Sequence, residues 1–132
     1  MNKELIQVFY LAAMSDGKLH DQEREMITQY ARHFIPQSEL KNLNISEITN
    51  NMHSLINAGL KADHFFQEMK KNLNSDQLNT LYALGLEMCC INFELVNSEI
   101  KIINDMEEIW NISKSVRDAI KRSAKLRFRK LF

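Results

Sequence analysis

The chain contains few of the residues that interrupt helices: three glycines and one proline among 132 residues. Met, Leu, Ile, Lys, Glu and Gln are common instead, and this bias favours an all-α domain. No apolar run approaches the ~20 residues that a transmembrane helix needs. The first ten residues carry charges and lack the cleavage pattern of a secretory signal peptide. We therefore expect a helical domain without a membrane span or a signal peptide.

The chain also has little cysteine, and its only two cysteines, Cys89 and Cys90, are adjacent. Neighbouring residues on a helix point in directions roughly 100° apart, so they rarely form a disulfide bridge. A redox or metal pair would favour the spacing Cys-x-x-Cys. The pair therefore predicts small core residues in a reduced, intracellular protein.

Hydrophobic periodicity predicts one domain of about seven helices over residues 1–132. Gly17, Pro36 and Gly59 are expected to end helices or turn the chain between them. No linker is long or flexible enough to divide the chain. The predicted N-terminal caps are Ser46, Asp63, Asn74 or Ser75, and Ser113.

Two segments of the chain, 5–35 and 81–111, align without gaps after a shift of 76 residues. Three pairs illustrate the match: Leu5 with Leu81, Ile27 with Ile103, and Phe34 with Trp110. Both segments follow the order helix, break, leucine, glutamate and apolar stripe. The pattern predicts two repeated helix–loop–helix hairpins that bury their apolar faces against each other. A chance match of two amphipathic hairpins is the alternative.

The break in the first hairpin, MSDGKLHDQE at 14–23, is open to two interpretations. As a turn, Gly17 supplies a backbone conformation that other residues resist, and Glu23 favours the start of the next helix. As a metal site, it is not an EF-hand, because Ala12 and Met14 stand where oxygen ligands are required. A simpler site for Zn²⁺, Mn²⁺ or Ca²⁺ would use carboxylate and imidazole ligands from Asp16, His20, Asp21 and Glu23.

Residues 12–23, AAMSDGKLHDQE, resemble the signature of the TerB-like family. The resemblance implies an all-α bacterial domain linked to tellurite resistance and stress. It also implies that acidic residues bind metal and that the domain acts by binding partners and not by catalysis. It covers the whole chain if the repeat is real. The second copy departs from the signature, because Asn92-Phe93 stands in place of Asp-Gly.

The net charge of zero conceals two regions of opposite sign. Residues 1–113 carry 9 basic and 16 acidic side chains, whereas residues 114–132 carry 8 basic and 1 acidic. Within the basic segment, an apolar stripe for packing on the body is predicted from Val116, Ala119, Ile120, Ala124 and Phe128. The surrounding cations are candidates for partner binding: Arg117, Lys121, Arg122, Lys125, Arg127, Arg129 and Lys130. Intramolecular pairing with the acidic body is the competing interpretation.

No arrangement of residues typical of catalysis appears in the sequence. We therefore expect a non-enzymatic binding or scaffold module without a certain cofactor. Its partner is expected to be another protein, with an anionic membrane surface or nucleic acid as alternatives that would use the basic segment. A divalent-metal sensor is the third hypothesis. The expected location is the cytoplasm, with the periphery of the inner membrane as the alternative.

Overall fold

The computed structural model describes residues 1–14, 21–90 and 97–127, and the side chains of 21–23 and 97–98 lie outside that description. In these ranges the chain forms eight helices and no strand, which confirms the all-α prediction. None of the described helices combines the length and the apolar composition that crossing a membrane requires. The helices are α1 (Asn2–Ala13), α2 (Asp21–Phe34), α3 (Gln37–Leu40), α4 (Ile45–Asn57), α5 (Ala62–Asn72), α6 (Ser75–Cys90), α7 (Asn97–Ile109) and α8 (Lys114–Arg127).

Helix α1 lies in the middle of the domain and contacts α2, α4, α5, α6 and α7. A helix that is apolar around most of its circumference has to be surrounded by other elements. The sequence of α1 meets that condition, since seven of its twelve residues are buried: Leu5, Ile6, Val8, Phe9, Tyr10, Leu11 and Ala12. These five helices are therefore arranged around α1, and the end of α1 helps to form the site described below.

The capping residues correct two of the sequence predictions. Asn44, and not Ser46, caps α4 by accepting a hydrogen bond from the backbone N–H of Glu47 at 3.0 Å. The helix begins one residue after Asn44, so Ser46 already lies inside it. Asp63 likewise lies in the first turn of α5, whose N-cap is Lys61.

Two other predicted caps are confirmed. Asn74 accepts from the N–H of Gln77 at 2.9 Å, and the Gln77 side chain accepts from the N–H of Asn74 at 3.0 Å. This reciprocal pair satisfies two backbone donors that the start of α6 leaves without helical partners. The Ser113 hydroxyl accepts from the N–H of Val116 at 3.4 Å at the start of α8.

In the two predicted hairpins, some pairs of matched residues are buried to the same extent and others are not. Leu5 and Leu81 are both buried, and α1 packs on α6. Phe34 and Trp110 differ, because 37% of Phe34 is exposed and only 5% of Trp110. Both loops that would complete the comparison, at 15–20 and 91–96, lie outside the described residues. The duplication therefore stays a prediction.

Candidate functional site

The predicted metal ligands lie at the margin of the described structure. Asp16 and His20 are outside it, and Asp21 and Glu23 belong to the first turn of α2, where only the backbone is described. Among the residues whose side chains are described, no three His, Cys, Asp or Glu are grouped to hold a metal ion. The metal site at 16–23 therefore stays a prediction.

The two cysteines are free thiols and are buried at the end of α6, as the sequence predicted. Burial raises the pKa of Cys89 well above its usual value, and the nearby Glu99 carboxylate adds to this effect. The same two causes, burial first, raise the pKa of Cys90 to about 11. Since the thiolate is the form that reacts and binds metals, this environment favours unreactive core thiols.

Helix α8 packs on the body through part of the predicted stripe. Ala124 is buried and Val116 and Ile120 are half-buried against the core, but Ala119 is exposed and does not belong to the stripe. The prediction that Ala119 belongs to the stripe was wrong. The side chains that pack on the body are spaced four residues apart, at 116, 120 and 124. Phe128 lies outside the described residues.

The seven candidate cations of the basic segment fall into different environments. Lys121 forms an ion pair with Glu107 of α7, and Arg127 forms one with Glu87 of α6 at 3.5 Å. Arg117 is half-buried, whereas Arg122 and Lys125 are exposed. Arg129 and Lys130 lie beyond the described part of α8. Pairing with the acidic body thus accounts for part of the basic segment, and other cations remain exposed.

A groove that the sequence did not predict opens where four helices meet. It has a volume of about 500 Å³. Its apolar lining comes from the end of α1, the end of α4 with the following turn, the start of α5, and α7. The apolar side chains are Leu11, Met14, Ile56, Leu60, Ala62 and Ile102.

The turn after α4 positions one wall of this groove. Gly59 has a backbone φ of +107°, which residues other than glycine rarely adopt. Its N–H donates to the carbonyl of Ile56 at 3.0 Å, and the N–H of Leu60 donates to the carbonyl of Leu55 at 3.1 Å. These two bonds form a Schellman motif, which ends α4 and directs Leu60 to the groove. Gly59 is therefore the helix stop that the sequence predicted.

One end of the groove carries a short hydrogen-bonded chain of polar side chains. The Tyr10 hydroxyl lies 3.3 Å from Nδ1 of His53, and Nε2 of His53 lies 3.1 Å from the amide nitrogen of Asn57. With the Asn57 amide donating to Nε2, Nδ1 carries the ring proton and donates to Tyr10. Burial raises the pKa of Tyr10, and the positive charge of Arg24 opposes that rise. His53 is exposed, and its ring connects α4 to α1 through Tyr10.

The other end of the groove carries charged side chains. Lys101 and Asp105 of α7 form an ion pair at 2.8 Å, and the hydrogen bond to Asp105 raises the pKa of Lys101. Lys61 is exposed and makes no ion pair with the described residues. The rim therefore presents the exposed ammonium group of Lys61 beside an apolar floor. Such a surface suits a ligand that combines apolar groups with a negative charge.

Comparisons with known proteins do not assign the chain to a family. No family model matches it, and curated proteins and solved structures give no significant match either. The resemblance to the TerB-like family rests on residues 12–23 and stays a prediction.

Proposed function

We propose that this protein is a non-enzymatic binding module that holds an amphipathic segment of a partner protein in the groove between α1, α4, α5 and α7. One observation carries the proposal: six apolar side chains from four helices line an opening that stays accessible to solvent. A pocket with an apolar lining and a few convergent polar groups around it is a good candidate for a binding site.

The chemistry of the groove indicates the kind of partner. The volume of about 500 Å³ is enough for a few large side chains. Lys61 adds a positive charge at the rim, where it favours a carboxylate on the bound segment. The occupant we infer is therefore a peptide segment with large aliphatic residues spaced three or four apart and an acidic residue beside them. A role in a TerB-like stress response is part of the same proposal and is supported by the sequence resemblance.

A selection from a random peptide library tests the proposal. The library is selected against the wild-type protein, and the recovered peptides are titrated by fluorescence anisotropy. We expect them to share aliphatic pairs at helical spacing with an acidic neighbour. Ile56→Gln places a polar amide in the groove and should weaken their binding at least tenfold, which corresponds to a loss of about 1.4 kcal/mol.

The neighbouring Leu55 supplies a matched control. It lies on the same helix and is 42% exposed, but it does not line the groove. Leu55→Gln should change the affinity by less than about twofold. Circular dichroism verifies that both variants are folded. The proposal fails if the two substitutions weaken binding equally, or if the recovered peptides show no apolar pattern.

A further inference from the structure

A second cleft lies between α2 and α6. Both helices pack on α1, and the cleft between them has a volume of about 290 Å³. The α2 side contributes Gln29, Tyr30, His33 and Phe34, and the α6 side contributes Glu87. The four α2 residues are spaced one, three and four apart, so they share one face of that helix. The cleft therefore combines a largely aromatic helix face with a carboxylate from a second helix.

The core holds the aromatic side of this cleft in place. The rings of Tyr30 and Phe34 are stacked, with centroids 6.0 Å apart and an angle of 28° between their planes. The buried ring of Phe9 contacts both of them, at centroid distances of 5.9 and 6.5 Å. Phe34 is nevertheless 37% exposed. The two rings thus form a pre-organised aromatic surface that is partly open to solvent.

Glu87 supplies a negative charge to the same cleft. Its side chain is 22% exposed and pairs with Arg127 of α8 at 3.5 Å, and Arg127 does not line the cleft. An ion pair between partly exposed side chains is weak, so the carboxylate can also attract the cation of a ligand. Burial raises the pKa of Tyr30, and the negative charge of Glu87 raises it further. The charge of Glu87 therefore acts on the aromatic surface.

This combination suits a flat cation that carries several N–H donors. Aromatic faces attract cations that lie within about 6 Å of the ring centroid. A guanidinium group can stack on a ring with its plane while its edge donates to a carboxylate. A quaternary ammonium has no N–H to donate to Glu87 or to the Gln29 amide oxygen, and a primary ammonium has no plane to stack. The lining therefore favours a guanidinium over the other organic cations.

We propose that the cleft between α2 and α6 binds a guanidinium group, which stacks on Tyr30 and Phe34 and pairs with Glu87. Its source is either an arginine side chain of a partner or a free guanidinium compound. The volume of about 290 Å³ suits a group of this size. The cleft shares no lining residue with the groove, so the inference goes beyond the binding function proposed above and does not depend on it.

Titration of the full chain with a capped glycine–arginine–glycine peptide tests the proposal, with the aromatic NMR signals of Tyr30 and Phe34 as the readout. We expect a dissociation constant on the order of 1–10 mM, as suits a single group. The matching citrulline peptide has a similar shape without the charge and should bind at least about tenfold more weakly. The lysine peptide has the charge without the plane and should bind at least about threefold more weakly.

Methylguanidinium, titrated in parallel, distinguishes the two sources of the ligand. If the peptide binds more than about fivefold tighter than methylguanidinium, its backbone contributes contacts and the source is a partner's arginine. Equal affinities identify a free guanidinium compound as the source. Both results support the site.

Substitutions locate the binding. Glu87→Gln removes the charge at nearly constant size and should weaken binding of the arginine peptide at least about fivefold. Phe34→Leu keeps an apolar side chain without the ring and should weaken it about threefold. Glu68→Gln on α5 is the matched control, because Glu68 also pairs with a basic residue, Lys71, at 3.5 Å. It should leave the affinity within about twofold of wild type, as should Ile56→Gln in the groove. Circular dichroism verifies that each variant is folded.

Four results would overturn the proposal. The first is the absence of any change in the signals of Tyr30 and Phe34 during the arginine titration. The second is a citrulline peptide that binds as tightly as the arginine peptide. The third is a lysine peptide of equal affinity, which would show that the aromatic plane plays no part. The fourth is an equal effect of Glu87→Gln and Glu68→Gln, which would show that only the net charge of the domain matters.

Discussion

At the scale of single residues, Gly85 shows how tightly the centre of the domain is packed. A β-carbon at this position would lie 2.8 Å from Cγ1 of Val8 and 3.2 Å from Cε of Met106. The methionine can move its flexible end, but the β-branched valine on the central helix is stiff. The absence of a side chain at position 85 therefore allows α6 to approach α1 closely.

Gly85→Ala should lower the free energy of unfolding by about 1 kcal/mol. Alanine improves helix propensity by about 1 kcal/mol, while overpacking a buried site costs about 1–3 kcal/mol. Chemical denaturation followed by circular dichroism measures the difference. In a Val8→Ala background, which removes the conflicting methyl group, the same change should become neutral or stabilising. A stabilising Gly85→Ala in the wild-type background would contradict this account of the contact between α1 and α6.

At the scale of the element, the start of α6 depends on the reciprocal bonds between Asn74 and Gln77. Asn74→Ala should lower the free energy of unfolding by about 1 kcal/mol, because it leaves a helix-end N–H without its acceptor. Asn72→Ala is the matched control, since Asn72 is exposed at the end of α5 and makes no side-chain hydrogen bond within the described residues. Urea denaturation compares the two variants. Equal losses would show that the cap contributes nothing specific to α6.

The helices could be predicted from the sequence because each of them follows from a local pattern. Apolar spacing indicated seven of the eight described helices, and Gly59 and Pro36 stood beside the ends of α4 and α2. The missing element, α3, has four residues, which is too short for a helical period to appear. The cap of α4 was placed wrongly because Asn44 and Ser46 are both good caps, and only the start of the helix decides between them.

The groove could not be predicted from the sequence, because no local pattern describes it. Its lining comes from positions near 11, 56–62 and 102, which only the packing of four helices brings together. The environments of the α8 cations could not be predicted from the sequence either. The sequence indicated a basic amphipathic helix. However, the ion pair between Lys121 and Glu107 and the exposure of Arg122 depend on where that helix lies on the body.

At the scale of the whole molecule, folding raises the pKa of every tyrosine and cysteine in the chain. Burial is the main cause for Tyr10, Tyr30, Tyr82, Cys89 and Cys90. The unfolded chain would release these protons near the ordinary pKa values of 9.0 and 10.0, while the folded chain retains them. The stabilisation is therefore present below about pH 9 and is lost as the pH rises further.

We expect the free energy of unfolding to fall steeply above about pH 9, by up to about 1.4 kcal/mol per pH unit for each group that is ionised only in the unfolded chain. Guanidinium titrations between about pH 8 and pH 10.5, in the presence of a reductant, measure this decline. The fluorescence of Trp110 reports on the core, because its ring is buried and its Nε1 donates to the carbonyl of Phe66 at 2.8 Å. Constant stability across this range would contradict the expectation.

Tyr82 lies where α6, α7 and α8 meet, and it contributes to the fall in the free energy of unfolding at alkaline pH. Its hydroxyl donates to Glu107 at 3.0 Å, and after burial this carboxylate is the next cause of its raised pKa. Lys121 pairs with the same carboxylate, and ionisation of Tyr82 would add a second negative charge directly beside Glu107. Tyr82→Phe should lower stability at pH 8 by about 1 kcal/mol through the lost hydrogen bond, yet it should make the alkaline decline shallower. Parallel declines in the two proteins would show that Tyr82 ionises no later in the folded chain than in the unfolded one.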